Sequence, residues 1–173
     1  MSLLREYIRG LLTEAEVKFS GILKAMPSAE IIAQAEAIVA TLPKQTTVQW
    51  SDDQPPVTLP VKPLQPDKFH VTLAHQSVLK PFKKQLQAMD KAKQLPPAPQ
   101  IQLDPDWQER TDLGLQRRSY VARVVNQVEV GAYLNSVMEL VGGPMNVWET
   151  ETPPREFHVS LANLTGNPGD SVR

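Results

Sequence analysis

One seven-residue phrase occurs twice in this chain, and it restricts the possible folds more than any other feature. The first copy is Phe69-His70-Val71-Thr72-Leu73-Ala74-His75, and the second is Phe157-His158-Val159-Ser160-Leu161-Ala162-Asn163. Five of the seven positions are identical, and the other two pair Thr with Ser and His with Asn. Each copy alternates apolar and polar residues, the two-residue period of a half-buried strand. Residues two apart on a strand share a face at a separation of roughly 7 Å. His70 is therefore expected to point with Thr72, and His158 with Ser160. The chain has three histidines in all, so chance core filling is a poor account of two of them heading the repeats. Two matched strands 88 residues apart, each approached through a helix and a proline-containing segment, predict two related halves.

The remaining pattern supplies the other elements. Leu3, Leu4, Tyr7, Ile8, Leu11 and Leu12 recur at helical spacing and predict a helix over residues 2–15. Phe19–Lys24 reads as a first strand. Ile31, Ile32, Ala35, Ile38, Val39 and Leu42 mark a second helix that begins near Pro27-Ser28 and stops at Pro43. Prolines at 55, 56, 60, 63 and 66 lack the N–H that a sheet ladder needs, so Val57–Val61 is at most an edge strand. After a loop at Gln76–Lys80, Pro81 opens a helix with an apolar stripe of Phe82, Leu86 and Met89. Prolines 96, 97 and 99 end it, and this stretch is the expected crossover between the halves. Ile101–Leu103 and Leu115–Val125 read as strands joined by a turn-rich connection, Asp104–Gly114. Val130, Tyr133, Leu134, Val137, Met138 and Val141 give the last helix, closed by Gly142-Gly143-Pro144. The predicted class is α+β, with residues 1–173 as one domain of two intimate lobes.

Composition narrows the function. At 173 residues, with 41% apolar and 21% charged content, the chain suits one substantial core. A formal net charge of −1 gives no global basic field for long nucleic acid, whereas a few local donors suffice for a small anion. With no cysteine, disulfide and thiolate chemistry are excluded, and a cytoplasmic setting is expected. No apolar run approaches the ~20 residues that span a bilayer. Glu6, Glu14 and Glu16 argue against a transit peptide, so no membrane partner is expected.

The repeated residues suit phosphodiester cleavage without metal. A nucleophilic oxygen must lose a proton, a leaving oxygen must gain one, and charge growing on the phosphoryl oxygens must be neutralised. Imidazole performs either proton transfer near neutral pH, and the Thr72 and Ser160 hydroxyls can donate to phosphoryl oxygens. Which histidine is base and which acid stays open. A zinc site is disfavoured, because catalytic zinc takes three protein ligands and only His75 is spare. His75 falls on the opposite face of a continuing strand and reads as structural.

These twin His-x-Thr/Ser motifs in apolar strands resemble the 2H phosphoesterase superfamily, which includes the LigT-like RNA phosphodiesterases. The resemblance implies a bilobal fold with two antiparallel sheets facing a central cleft and helices outside. It assigns catalysis to His70, Thr72, His158 and Ser160, with no metal or cofactor, and the second motif carries Ser in place of Thr. The short length, the N-terminal amphipathic helix with Tyr7, and the Phe-His-Val-Thr strand are similar to phage-encoded members that degrade cyclic oligonucleotide signals of antiviral defence, the anti-CBASS phosphodiesterases. Thirteen residues follow Ser160, and the turn-forming Gly166–Asp170 stretch is expected to line one rim.

The expected substrate is thus a cyclic di- or trinucleotide, cleaved by a ribose 2′-hydroxyl or by water. Two alternatives stand beside it. One is processing of RNA ends at 2′,3′-cyclic phosphates or 2′–5′ linkages, and the other is sequestration of a nucleotide without cleavage. Base stacking is worth ~1–3 kcal/mol per base, and the candidate platforms are Trp148, Trp107, Tyr120 and Tyr7. Arg110, Arg117, Arg118 and Arg155 are the guanidinium groups that could reach further phosphates.

Overall fold

Strict alternation decides the first element described. In the computed structural model, which describes residues 14–150 and 155–172, Glu14–Phe19 forms strand β1 with Ala15, Val17 and Phe19 buried. Leu23–Met26 forms β2. The two pair antiparallel, with Phe19 opposite Leu23. Two expectations are corrected here. The single strand expected over 19–24 is the tip of a hairpin, because Gly21 adopts φ +86° and the chain reverses there. Glu14 and Ala15 belong to β1 rather than to the end of a helix. The rest of the helix expected over 2–15, including Tyr7, lies outside the described residues.

The elements continue as helix α1 (Ala29–Val39), then β3 (Gln45–Val48), β4 (Val57–Pro60) and β5 (Lys62–Pro63). Strand β6 (Val71–Ala74) follows, then a short α2 (Gln76–Leu79), α3 (Lys83–Lys91) and β7 (Ala98–Pro99). The chain ends with β8 (Leu103–Asp112), β9 (Arg117–Val124), α4 (Gln127–Leu140), a one-turn α5 (Val147–Thr150) and β10 (His158–Asn163). Two expected loops are therefore elements. Gln76–Leu79 is a helical turn entered at His75, whose carbonyl accepts from Val78 and Leu79. Asp104–Gly114 is mostly β8, a ten-residue strand rich in polar side chains. It lacks an apolar stripe because its order comes from pairing with β9 (Trp107 opposite Ala122, Thr111 opposite Arg118).

The fold is α+β, and its strands pair mostly antiparallel. The chain divides into two compact units. The first draws its described residues from Met1–Ser28, Val71–Gln102 and Val125–Phe157, the second from Ala29–His70, Leu103–Val124 and His158–Arg173. Both copies of the repeated phrase straddle this division.

In the first unit the strands run β7-β1-β2-β6. Helix α4 packs on β6, β7 and α5, and α3 packs on β1. The Tyr133 hydroxyl of α4 donates to the Pro96 carbonyl, and burial pushes its ionisation far above the usual phenol range.

In the second unit β9 lies between β8 and β10, and β5 pairs β10. Strands β3 and β4 form their own two-stranded sheet, so the proline-rich stretch contributes an edge strand, as its missing N–H groups require. Helix α1 packs on β8 and β10. Val61, Tyr120 and Ala162 form a core cluster flanked by Leu42 and Trp107. Among the described residues, no helix is long and apolar enough to cross a membrane.

One glycine gives the first unit a sharp stability test. Gly131 sits inside α4, where alanine ordinarily gains about 1 kcal/mol of helix propensity. Here an added Cβ would lie 2.3 Å from the Trp148 ring, which is held in place by stacking on Phe157 and by a hydrogen bond to the Arg155 carbonyl. The overlap outweighs propensity, so Gly131→Ala is expected to destabilise by roughly 1–3 kcal/mol. The readout is the urea midpoint, and a rise would contradict this packing.

Candidate active site

The first six residues of the two copies share one burial pattern. Phe69 and Phe157 are buried, His70 and His158 half-buried, Val71 and Val159 buried, and Thr72 and Ser160 half-buried. The next two residues break the alternation in both, since Leu73 and Ala74 are both buried, as are Leu161 and Ala162. Pairing register explains why. Against β2, Thr72 pairs Lys24 but Ala74 pairs Leu23, so Leu73 is an extra residue. Against β9, Ser160 pairs Val121 but Ala162 pairs Tyr120, so Leu161 is an extra residue. Each copy thus carries a β-bulge directly after its hydroxyl residue. Bulges bend a strand and re-aim its side chains, and they are enriched next to active sites.

Alternation places each polar pair on the partly exposed face. His70, His158 and Ser160 belong to the second unit and Thr72 to the first. Directly across from Thr72 stands Lys24, and Lys18 lies opposite Lys24 on the same face. Directly across from His158 stands Arg123. Each motif therefore has a cation as cross-strand neighbour, about 5 Å away at the Cβ atoms, which suits an anionic ligand.

The two imidazoles are held in different ways. His70 Nδ1 lies 2.8 Å from the Lys68 carbonyl oxygen. A carbonyl only accepts, so Nδ1 carries the proton and a neutral ring has its lone pair at Nε2. His158 Nδ1 lies 3.1 Å from Arg110 Nη1. A guanidinium only donates, so Nδ1 carries the lone pair and a neutral ring has its proton at Nε2.

Of the proposed stacking residues, Tyr120 is corrected by its burial. Trp107 and Tyr120 pair with Ala122 and Glu109, on the face opposite His158 and Ser160. Their rings meet edge to face at 5.3 Å, and Tyr120 is 1% exposed, so it offers no ring face to a base. Burial raises its ionisation, and its hydroxyl donates to Glu109. Trp148 sits in helix α5, with its ring stacked on Phe157 at 6.0 Å. Tyr7 lies outside the described residues.

Among the arginines, Arg110 donates to the ring of His158. Arg118 points to the core side, where it donates to Thr46, Thr47 and Thr111 and pairs with Glu109. Arg117 pairs with Asp170 and donates to the Gly169 carbonyl. That contact ties the turn-forming C-terminal stretch to β9. Arg155 donates to His75, which gives His75 a structural partner. Asn163, the counterpart of His75 in the second copy, is fully buried. Its side chain accepts from the Thr165 and Gly166 amides and donates to the Asn167 carbonyl.

Lys24 and Arg123 were missed by sequence reasoning, because only the strand register makes them neighbours of the motifs. Among the described residues, no three His, Cys, Asp or Glu side chains cluster so as to hold a metal ion. No protein-family model, curated protein or solved structure matches the chain.

Proposed function

We propose that this protein is a metal-independent phosphodiesterase of the 2H kind, using His70, His158, Thr72 and Ser160 on a small ribonucleotide phosphodiester. One observation carries the reading: two copies of His-x-Thr/Ser share the same exposure pattern, the same bulge after the hydroxyl residue, and a cation across from one of the paired residues. A structural histidine needs none of these in duplicate. The reading includes the bilobal 2H fold, each motif strand carried by its own antiparallel partners.

The chemistry follows from the groups present. One imidazole takes the proton of an attacking hydroxyl, a ribose 2′-OH or water, as the O–P bond forms. The bond to the leaving oxygen then breaks, and that oxygen receives a proton from an imidazolium or from solvent. The other imidazole and the two hydroxyls donate hydrogen bonds to the oxygens on which negative charge grows. Lys24 and Arg123 add local positive charge, while the net charge of −1 leaves little long-range pull on polymeric nucleic acid. A cyclic di- or trinucleotide of the kind used in antiviral signalling is the first-choice substrate.

The test is a panel of cyclic dinucleotides and trinucleotides, 2′–5′ oligoadenylate and 2′,3′-cyclic mononucleotides, incubated with the protein in excess EDTA and resolved by chromatography. Turnover of a cyclic oligonucleotide in EDTA is the expected result. Turnover only of 2′,3′-cyclic ends or 2′–5′ linkages would move the assignment to RNA-end processing. Binding without turnover would make the protein a sequestering module. A strict requirement for added divalent ions would overturn the mechanism.

A further inference from the structure

The two histidines look interchangeable in sequence, yet their Nδ1 partners are chemically opposite. We infer that Arg110 is a positioning residue that locks His158 as a neutral ring with its proton on Nε2, leaving His70 as the imidazole that titrates and takes the substrate proton. This inference deepens the phosphodiesterase reading and rests on it for its catalytic meaning.

The geometry that supports it is local to the second unit. Arg110 pairs in register with Ser119, and Ser119, Val121 and Arg123 alternate on one face of β9. Arg123 stands opposite His158, so Arg110 and His158 share that face, and the guanidinium donates to Nδ1 at 3.1 Å. Protonating His158 at Nδ1 would replace a hydrogen bond by two apposed N–H groups and set one cation against another.

The other charged groups around β10 reinforce the argument. Arg123 is a second cation. Lys62 on β5 is cationic and pairs with Asn163 at the far end of the strand. The carboxylates of α1, Glu30 and Glu36, are exposed. Asp170 is engaged by Arg117. Arg110 and Arg123 are the cations on the face of His158, and the half-buried carboxylate of Glu156 lies two residues before it in the chain.

His70 is in the reverse situation. The Lys68 carbonyl accepts from Nδ1–H in both the neutral ring and the imidazolium, so Nε2 can gain and lose a proton without disturbing that contact. His158 accordingly acts through Nε2–H, as a neutral donor to an oxygen gaining charge, in the way a neutral imidazole can polarise an oxygen.

The experiment is ¹⁵N NMR of the histidine rings between pH 5 and 8 on the intact protein, with R110M and R110K beside the wild type. Three histidines make assignment direct by substitution. The expected wild-type spectrum shows His158 with an unprotonated, hydrogen-bonded Nδ1 and a protonated Nε2 across the range, while His70 converts to the imidazolium as pH falls. In R110M, His158 is expected to begin converting to the imidazolium as pH falls, and R110K should restore part of the lock. Should wild-type His158 become an imidazolium in this range, or carry its proton on Nδ1, the inference fails, and the wild-type spectrum decides this even if R110M does not fold. The spectra need no substrate. A locked His158 in a protein that turns over nothing in the panel would uphold the role of Arg110 and overturn the phosphodiesterase reading instead.

Discussion

His70→Ala is expected to lower kcat/KM on the preferred phosphodiester by about 10²–10⁴-fold, the usual contribution of a positioned general base, with the urea midpoint nearly unchanged. The two halves of this expectation have separate grounds. His70 is half-buried and its described hydrogen bond runs to the carbonyl of Lys68, which is exposed, so water can replace the lost donor. Its neighbours Phe69 and Val71 are the buried anchors, at 2% and 0% exposure, and they remain. A substitution that leaves these anchors in place is expected to shift stability by about 0.5 kcal/mol or less.

The second histidine should behave differently. His158→Ala removes a donor to charge that develops in the transition state, a loss of about 10²–10³-fold. His158→Gln keeps an N–H and should retain more activity than His158→Ala, whereas His70→Gln has no lone pair basic enough to accept a proton and should be as inactive as His70→Ala. Combining the two alanine substitutions should cost far less than the product of the single losses, because groups that act on one reacting centre are not additive. Steady-state rates on the four single variants and the double variant test this order. A His70→Ala enzyme retaining a tenth or more of wild-type kcat/KM would remove His70 from the chemistry.

Much of the site was legible because a strand's two-residue period is local. The alternation in Phe69–His75 and Phe157–Asn163 fixes which side chains share a face, and the observed burial follows it as far as Thr72 and Ser160. It fails at Leu73 and Leu161, where a bulge lets two consecutive residues point inward. A bulge depends on the partner strand's register, which the strand's own sequence does not contain. The same limit hides Lys24 and Arg123.

Elements ordered by pairing rather than by an apolar stripe were equally hard to read. Strand β8 is polar over most of its length and reads as a connection. It extends because Arg118, Thr111 and Glu109 tie it to β9. Helices were read more faithfully, since Ile31, Ala35 and Ile38 in α1, and Val130, Leu134, Val137 and Met138 in α4, are the buried residues that the 3.6 period predicts. Aromatic residues are ambiguous in sequence for a physical reason. Stacking on a base and packing in a core require the same flat apolar ring, and Trp107, Tyr120 and Trp148 all meet protein partners.

Phe157→Ala is expected to give the largest stability loss of any single change considered, about 3–5 kcal/mol for a fully buried phenylalanine. Phe157 is 0% exposed, and its ring stacks on Trp148 with an interplanar angle of 19°. Its backbone is gripped from both sides, because its N–H donates to Gln127 Oε1 at 2.8 Å and its carbonyl accepts from Gln127 Nε2 at 2.7 Å. Truncation leaves a cavity beside Trp148 that this doubly held backbone cannot easily close, which places the cost toward the upper end. A domain stable by about 5–15 kcal/mol would lose roughly a fifth or more of its margin, so soluble yield at 37 °C should fall with the urea midpoint. Phe157→Leu, which keeps most of the volume, should cost under ~1.5 kcal/mol. Because Phe157 directly precedes His158, its loss should also lower activity, but in step with the folded fraction. His70→Ala removes activity at constant stability, whereas Phe157→Ala removes stability first. If Phe157→Ala unfolded at the wild-type midpoint, the buried aromatic at the head of each repeat would not be what anchors the motif strands, and the duplicated burial pattern would lose its structural explanation.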